Sequence, residues 1–332
     1  MVKEKILKII GNFNSKSLVV IGDYMLDKNT IGEVSRISPE APVQIVKVRE
    51  YAYSPGGAGN CAANVVSLGG KVYCVGVVGD DTNGRKLIRV LQKTGCESKL
   101  TPAEGKSTIV KERIFGASHG HYQHLLRLDH GEYELEDVDE GLENMIAETC
   151  MELINNDVWG IILSDYRKGN LTVGLCKKVI SLAHERDIPV IVDPKPKNIE
   201  RFYGATVIAP NHEEAAKICG MDYDKNGLDK MAKRMADILN LKYVIITCGK
   251  DGMFAYDVKK NEGKLIPTRA KEVHDVTGAG DTAVAALSLA LVSGADIFTA
   301  AEIANYAAGI AVSKRGTVAV KIEELKEILM ED

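Results

Sequence analysis

Short apolar, β-branched runs alternate along the chain with longer segments of helical periodicity. Residues 18–21, 72–75, 160–163, 190–192, 206–208 and 243–246 are such runs. A run without polar alternation suits a strand buried on both faces, and strands separated by helices suit parallel pairing. The pattern predicts an α/β fold, with a central, mostly parallel sheet covered by helices on both faces. Two stretches, 43–48 and 108–114, alternate as half-exposed antiparallel strands do. They predict a small β-sheet lid, built from segments at about 24–54 and 106–128 of a single domain spanning 1–332.

The strand ends carry polar residues: Gly22-Asp23, Ser164-Asp165, Asp193-Pro194-Lys195, Pro210-Asn211 and Thr247-Cys248-Gly249. Open α/β sheets bind ligands at the carboxyl edge of their strands, although any strand leaving a core needs a polar exit. With 45% hydrophobic and 27% charged residues, the 332-residue chain can bury a large core. A formal net charge of -4 gives no general attraction to nucleic acid or anionic membrane. Any anionic ligand must be held by local groups, and bulk charge says little more about the partner.

Seven cysteines without a C-x-x-C pair argue against a disulfide framework or zinc cluster and suit a reducing cytoplasm. Lys3, Glu4, Lys5 and Lys8 interrupt the N-terminal apolar residues, and no run approaches the roughly 20 apolar residues of a spanning helix. A soluble, cytoplasmic protein is expected. Trp159 precedes a core strand and is expected to pack; His119, His121 and His124 read as a polar loop between lid strands rather than a metal site.

Asp275-Val276-Thr277-Gly278-Ala279-Gly280-Asp281 leads into a helix rich in small residues. Gly278 and Gly280 allow backbone amides to converge at a helix N-terminus, which favours an anion. Asp281 would repel that anion unless it accepts a proton from an attacking hydroxyl; the alternative is an ordinary Asp cap on a glycine turn. No Gly-Lys-Ser/Thr follows, so the loop is not a Walker A motif. A second glycine cluster, Pro55-Gly56-Gly57-Ala58-Gly59-Asn60, opens another helix but lacks the G-x-G-x-x-G spacing of dinucleotide folds. A hydroxyl-rich ligand suits it better.

Together, Gly56-Gly57, Asn60, Leu68-Gly69, Gly76 and Gly79-Asp80 with Asp275 and Gly278-Ala279-Gly280-Asp281 resemble the ribokinase, or PfkB-type, carbohydrate kinase family. Asn211-His212-Glu213-Glu214 is similar to that family's N-x-x-E motif for magnesium and phosphate. The residues of 22–27, 35–43, 126–129, 163–169 and 193–195 look like members that phosphorylate D-glycero-D-manno-heptose 7-phosphate at C1 in ADP-heptose biosynthesis, a route to lipopolysaccharide precursors. The sequence has no H-x-G-H and ends without a nucleotidyltransferase domain, so the resemblance implies the kinase step alone. Other readings are a kinase for ribose, fructose or adenosine, or a nucleotide-binding regulator without turnover.

The resemblance implies ATP as donor and Asp281 as base, with the amides of Gly278, Ala279 and Gly280 holding developing charge. It implies that Asn211 and Glu214 organise Mg²⁺ through water, and that Asp275 lines a K⁺ site. Lys195, Thr247, Gly249, Gly252, Asn305 and Ala308 fall to the nucleotide side. Asp23, Asp27, Gly56, Gly57, Asn60 and Asp165 fall to the sugar side. Arg36, Lys111, Arg113, Arg127 and Lys168 are candidate cations for a sugar phosphate. A homodimer through the lid strands is also implied.

Overall fold

In the computed structural model the described residues are 2–118, 121–131, 137–156, 158–270, 272–314, 316 and 318–331. The first strands are β1 (Ser17–Gly22), β2 (Tyr24–Ile37), β3 (Gln44–Gly57), β4 (Lys71–Gly79), β5 (Glu97–Ala103), β6 (Val110–Ser118) and β7 (His121–His130). The others are β8 (Gly160–Ser164), β9 (Val190–Asp193), β10 (Val207–Ile208), β11 (Tyr243–Thr247), β12 (Met253–Asp257) and β13 (Glu262–Ile266). Helices α1 (Val2–Gly11), α2 (Ala58–Ser67), α3 (Thr82–Lys93), α4 (Glu140–Ile154) and α5 (Val173–His184) belong to the first half. Then come α6 (His212–Cys219), α7 (Leu228–Leu239), α8 (Ala279–Val292), α9 (Ile297–Val312) and α10 (Ile322–Glu331).

Nine strands form one sheet in the order β13-β12-β11-β10-β9-β8-β1-β4-β5. The six expected core runs are all in it, and they pair in parallel. Alternate residues of a strand face opposite sides, and here both sides are apolar. Leu18 and Val20 join a core with α1, α2, α8, α9 and α10, whereas Val19 and Ile21 join a second core with α4, α5 and α7. All seven cysteines are buried and free. Edge strand β5 and the antiparallel β12–β13 hairpin were not evident from the apolar runs, because β5 buries just Leu100 and Ala103, β13 buries just Ile266, and β12 sits directly beyond a glycine turn.

The second sheet has four strands, ordered β3-β2-β6-β7. Its expected antiparallel ladders are present between β2 and β3 and between β6 and β7, but β2 and β6 run parallel. That pairing brings 110–117 alongside 26–33, so one ladder face carries side chains from both segments. His121 opens β7 and His124 lies within it against the Phe115 ring, while His119 is outside the described residues. Trp159 corrects the packing expectation: it is 42% exposed, with Lys16 Nζ 3.1 Å from its ring centroid. Among the described residues no helix is long and apolar enough to cross a membrane.

Asn64, fully buried in α2, joins three parts of the fold. Its Oδ1 accepts from Thr282 Oγ1 at 3.0 Å and from the Val320 amide at 3.2 Å, and its Nδ2 donates to Asn60 O at 3.0 Å. Asn64→Ala strands the buried Val320 amide, while Thr282 Oγ1 retains Gly278 O as acceptor at 3.1 Å, and is expected to lower unfolding free energy by about 1–3 kcal/mol in urea titration. An unchanged midpoint would show that the junction is not structural.

Candidate active site

The small-residue helix α8 begins where Gly278, in the left-handed region at φ 81°, turns the chain. Helix N-termini leave backbone N–H groups unpaired and carry partial positive charge, so this end suits an anion. Asp281 lies in the first turn of α8 and is 6% exposed. Its Oδ2 accepts from Asn60 Nδ2 at 2.7 Å, and its Oδ1 accepts from the Tyr166 hydroxyl at 2.7 Å. Burial pushes the Asp281 carboxyl up to about 6, although Asn60, Tyr166 and Lys195 oppose the shift. A carboxylate with that pKa can take a proton near neutrality.

Beside Asp281, one cleft is lined by Gly278, Gly280, Lys195, Asn211, Glu214 and Thr247. Asn211 caps α6 by accepting from the Glu214 amide at 2.9 Å, and Glu214 Oε2 accepts from the Asn211 amide at 3.0 Å. This capping box comes from the Asn-x-x-Glu spacing and serves the helix start whatever else the pair does. Glu214 Oε1 takes Lys195 Nζ at 2.5 Å. Burial works against the Lys195 ammonium, but Asp193 and Glu214 outweigh it and hold its pKa above the ordinary lysine value. Asp275 sits further back in the glycine loop, accepting from the Thr277 amide at 2.9 Å and from the Gly316 amide at 3.1 Å. The Thr277 bonds hold its carboxyl below the usual range, with the Gly316 amide adding to the effect.

The four-stranded sheet meets the other side of the site. Asp27, Asn29, Lys111 and Arg113 share one ladder face, with Asp27 opposite Lys111 and Asn29 opposite Arg113. Asp27 is 7% exposed and lies 3.2 Å from Arg113 Nη1, yet its Oδ1 has no hydrogen-bond partner, and neither has the buried Oδ1 of Asn29. Arg127, opposite Arg113, makes a bidentate pair with Asp129 at 2.7 and 2.8 Å. Gly56 backs directly onto Asp27: a Cβ there would stand 3.0 Å from its Cγ. Gly57, at φ 59°, would bring a Cβ within 2.4 Å of Asp23 O. Both glycines let β3 turn closely into α2.

Asp23 and Asp165 lie on adjoining strand ends but are consumed internally. Asp23 accepts from the amides of Tyr166, Lys168 and Asn170 at 2.8, 2.9 and 3.0 Å. Asp165 is fully buried, ion-paired with Arg201, and accepts from the amides of Arg167 and Lys195 at 2.8 and 3.1 Å. Both shape the rim rather than face open space. Arg36 is exposed at the end of β2 away from Asp27 and is not gathered with the other cations. Asn305 donates to Pro267 O at 2.6 Å, Ala308 packs on the core, and Gly249 and Gly252 shape the turn before β12. A Cβ at Gly252 would fall 2.0 Å from Ile266 O, so its place is conformational.

Residues 15–324 match the description "pfkB family carbohydrate kinase". The chain belongs to this family of sugar kinases. It is 39% identical to the Bifunctional protein HldE of Sulfurimonas denitrificans over 323 residues, covering 97% of this chain and 65% of that protein. It is 40% identical to the HldE of Campylobacter jejuni over 312 residues, covering 93% of this chain and 64% of the relative. The kinase chain thus spans less than two thirds of these relatives. Among solved structures it is similar to phosphofructokinase-2 from Escherichia coli in complex with potassium, with TM-score 0.77 and 18% identity over 95% of this chain and 98% of that one. Ribokinase of Arabidopsis thaliana complexed with ribose and ATP gives TM-score 0.71 and 19% identity, again over 95% and 98%. These two likenesses show the ribokinase-like fold.

Two groups of this cleft were not singled out from sequence. Tyr166 lines it and touches Asp281, and Asp193 stands beside it with its carboxyl pushed up by burial and then by Asp281. Their signal was present in the strand exits Ser164-Asp165-Tyr166 and Asp193-Pro194-Lys195, but nothing along the chain said which side chain turns inward.

An acid whose folded pKa lies above its unfolded value costs stability once both states are ionised, and that cost fades as pH falls through the folded pKa. At pH 8 Asp281→Asn is therefore expected to raise unfolding free energy by about 1–2 kcal/mol, since the amide oxygen satisfies only one of the two donors. The gain should shrink from pH 7 to pH 4 in denaturant titrations. Equal stability at both ends would mean that the buried charge costs nothing.

Proposed function

We propose that the protein transfers the γ-phosphoryl group of ATP to the C1 hydroxyl of D-glycero-D-manno-heptose 7-phosphate, giving the 1,7-bisphosphate. The observation that carries this reading is the buried Asp281 carboxylate at the positive end of α8, between Lys195 on one side and the cation-bearing ladder face on the other. Asp281 takes the hydroxyl proton, the sugar oxygen bonds to phosphorus, and the bond to ADP breaks. The amides of Gly278, Ala279 and Gly280 receive the charge on the transferring group. Lys195 approaches the donor phosphates.

On the acceptor side, Asp27 Oδ1, ion-paired with Arg113 but without a hydrogen bond, and the buried Oδ1 of Asn29 suit sugar hydroxyls, which are donors. Lys111, Arg113 and Arg127 stand on one ladder face with Asp27 and Asp129, a cation-bearing surface suited to a phosphorylated sugar, and Lys168 is near enough to Asp129 to act on its charge. The four-stranded sheet is the lid, in one domain with the larger sheet, and keeps water from the phosphoryl group. The similarity to the HldE proteins at 39–40% identity points to the heptose among sugars.

Mg²⁺ fits as an ion carried with the nucleotide. Both Asn211 and Glu214 are committed to the capping box, and no group of three or more His, Cys, Asp or Glu placed for a metal occurs among the described residues. They would hold it through water, and the ion would neutralise phosphate charge. Asp275 would serve a neighbouring K⁺. The other face of the lid exposes Tyr51, Leu126 and Leu128, an apolar surface suited to a second copy of the chain in the cytoplasm. A solution mass near twice 36.0 kDa is expected, and a monomer at micromolar concentration would refute it.

Coupled ADP release across a sugar panel tests the substrate. Turnover with the heptose 7-phosphate is expected; turnover with ribose, fructose or adenosine alone would reject it. The acid limb of kcat/KM should lie near pH 6, the Asp281 value. Asp281→Asn should lower kcat by about 100-fold or more while ATP still binds. Retained turnover would remove Asp281 as base.

A further inference from the structure

We propose that Tyr166 is a positioning residue of the phosphoryl transfer: its hydroxyl pins the Asp281 carboxylate in its working orientation, and Asp23 pins Tyr166. The inference rests on Asp281 being the base. A carboxylate at the root of a cleft can rotate about its last bond, and a rotated base misses the acceptor hydroxyl. Here each oxygen is held by one donor, Oδ2 by Asn60 from α2 and Oδ1 by Tyr166 from the loop after β8. Each oxygen keeps a further lone pair for the incoming proton.

The loop that presents Tyr166 is held in a costly shape. Arg167 adopts φ 57° and Gly169 φ 91°, and a left-handed arginine persists only where its surroundings impose it. The imposing group is the buried Asp23, whose two oxygens collect three amides from alternate residues of the loop. Asp165 adds a fourth constraint through the Arg167 amide. The Tyr166 ring is also flanked by cations from both sides of the reaction, Lys111 Nζ at 5.5 Å and Lys195 Nζ at 5.7 Å from its centroid. It therefore stands where the acceptor and nucleotide sides meet.

Charged and titratable groups from the surrounding elements bear on Asp281. Asp27 comes from β2, Asp193 from the end of β9, Lys195 just after it, and Cys61 from α2. Among the described residues, Asn60 and Tyr166 alone hydrogen-bond its side chain. Burial, followed by the nearby Asp281 charge, holds the phenol well above its ordinary pKa, so Tyr166 donates and does not compete as base. Loss of that donor removes part of what keeps the carboxylate ionised.

Tyr166→Phe keeps the ring and removes only the O–H. Its kcat at pH 7 should fall about ten-fold, with the acid limb of kcat/KM moving up by about one pH unit and KM for ATP within about two-fold of wild type. About two-fold of the loss should return by pH 9, because that portion is protonation of Asp281. A purely structural role predicts an equal loss at every pH with the limb unmoved, and that result would overturn the proposal. Asp23→Asn should move the limb in the same direction, and the double variant should be no worse than the more impaired single one. Additive losses would separate Asp23 from Tyr166 and overturn their link. Asp281→Asn measured alongside separates the two readings: if it retains turnover the base assignment fails, whereas an inactive Asp281→Asn with an unmoved Tyr166→Phe limb defeats only the positioning role.

Discussion

Everything at the candidate site follows from one unfavourable act, the burial of the Asp281 charge. An ionised carboxylate with 6% exposure is tolerated only where donors and cations reach it. The fold supplies Asn60 through the helix after β3, Tyr166 through the loop after β8, and Lys195 through the exit of β9. These elements are distant in sequence. They converge because parallel strands place their carboxyl ends along one rim and α8 starts at that rim. The penalty is incompletely offset, and the remaining imbalance leaves the group titrating near neutrality rather than near 4.

Neighbouring carboxylates show how the same residue type takes different work. Asp23 and Asp165 have both oxygens engaged by amides or Arg201 and shape the backbone. Asp27 keeps an oxygen without a hydrogen bond, although Arg113 lies close by. The distinction is one of remaining capacity. A fully paired carboxylate has nothing to offer a ligand, while one with a spare buried acceptor is incomplete until a donor arrives.

Much of this architecture was legible in the sequence. Apolar runs without alternation marked six strands of the large sheet, and the glycine loop marked the start of α8. Alternation revealed the small sheet but not that β2 and β6 run parallel, since period two is the same for either direction. Asn60 and Asp23 stood out along the chain, yet their partners were invisible: a lone polar residue does not say whether it will face a ligand or an amide. Tyr166 was hidden for the same reason. Its inward turn depends on three hydrogen bonds to a residue more than a hundred positions earlier. Arg36 lies apart from the other cations for a different reason, because charge near a strand says nothing of how far along the strand the charge lies.

The β2–β3 ladder has a mechanical consequence. It pairs continuously from Tyr24 and Gly57 at the rim out to Ile37 and Gln44, interrupted by two register shifts. Fourteen residues on each strand make a ribbon roughly 45 Å long. Its inner end is clamped where Gly57 meets Asp23 O, one helical turn from Asn60. The ribbon is therefore a lever with its fulcrum at the candidate site. Asp27 lies three residues from the clamped end and Ile37 thirteen, so a tilt that carries the tip several ångströms moves Asp27 by only about a quarter as much.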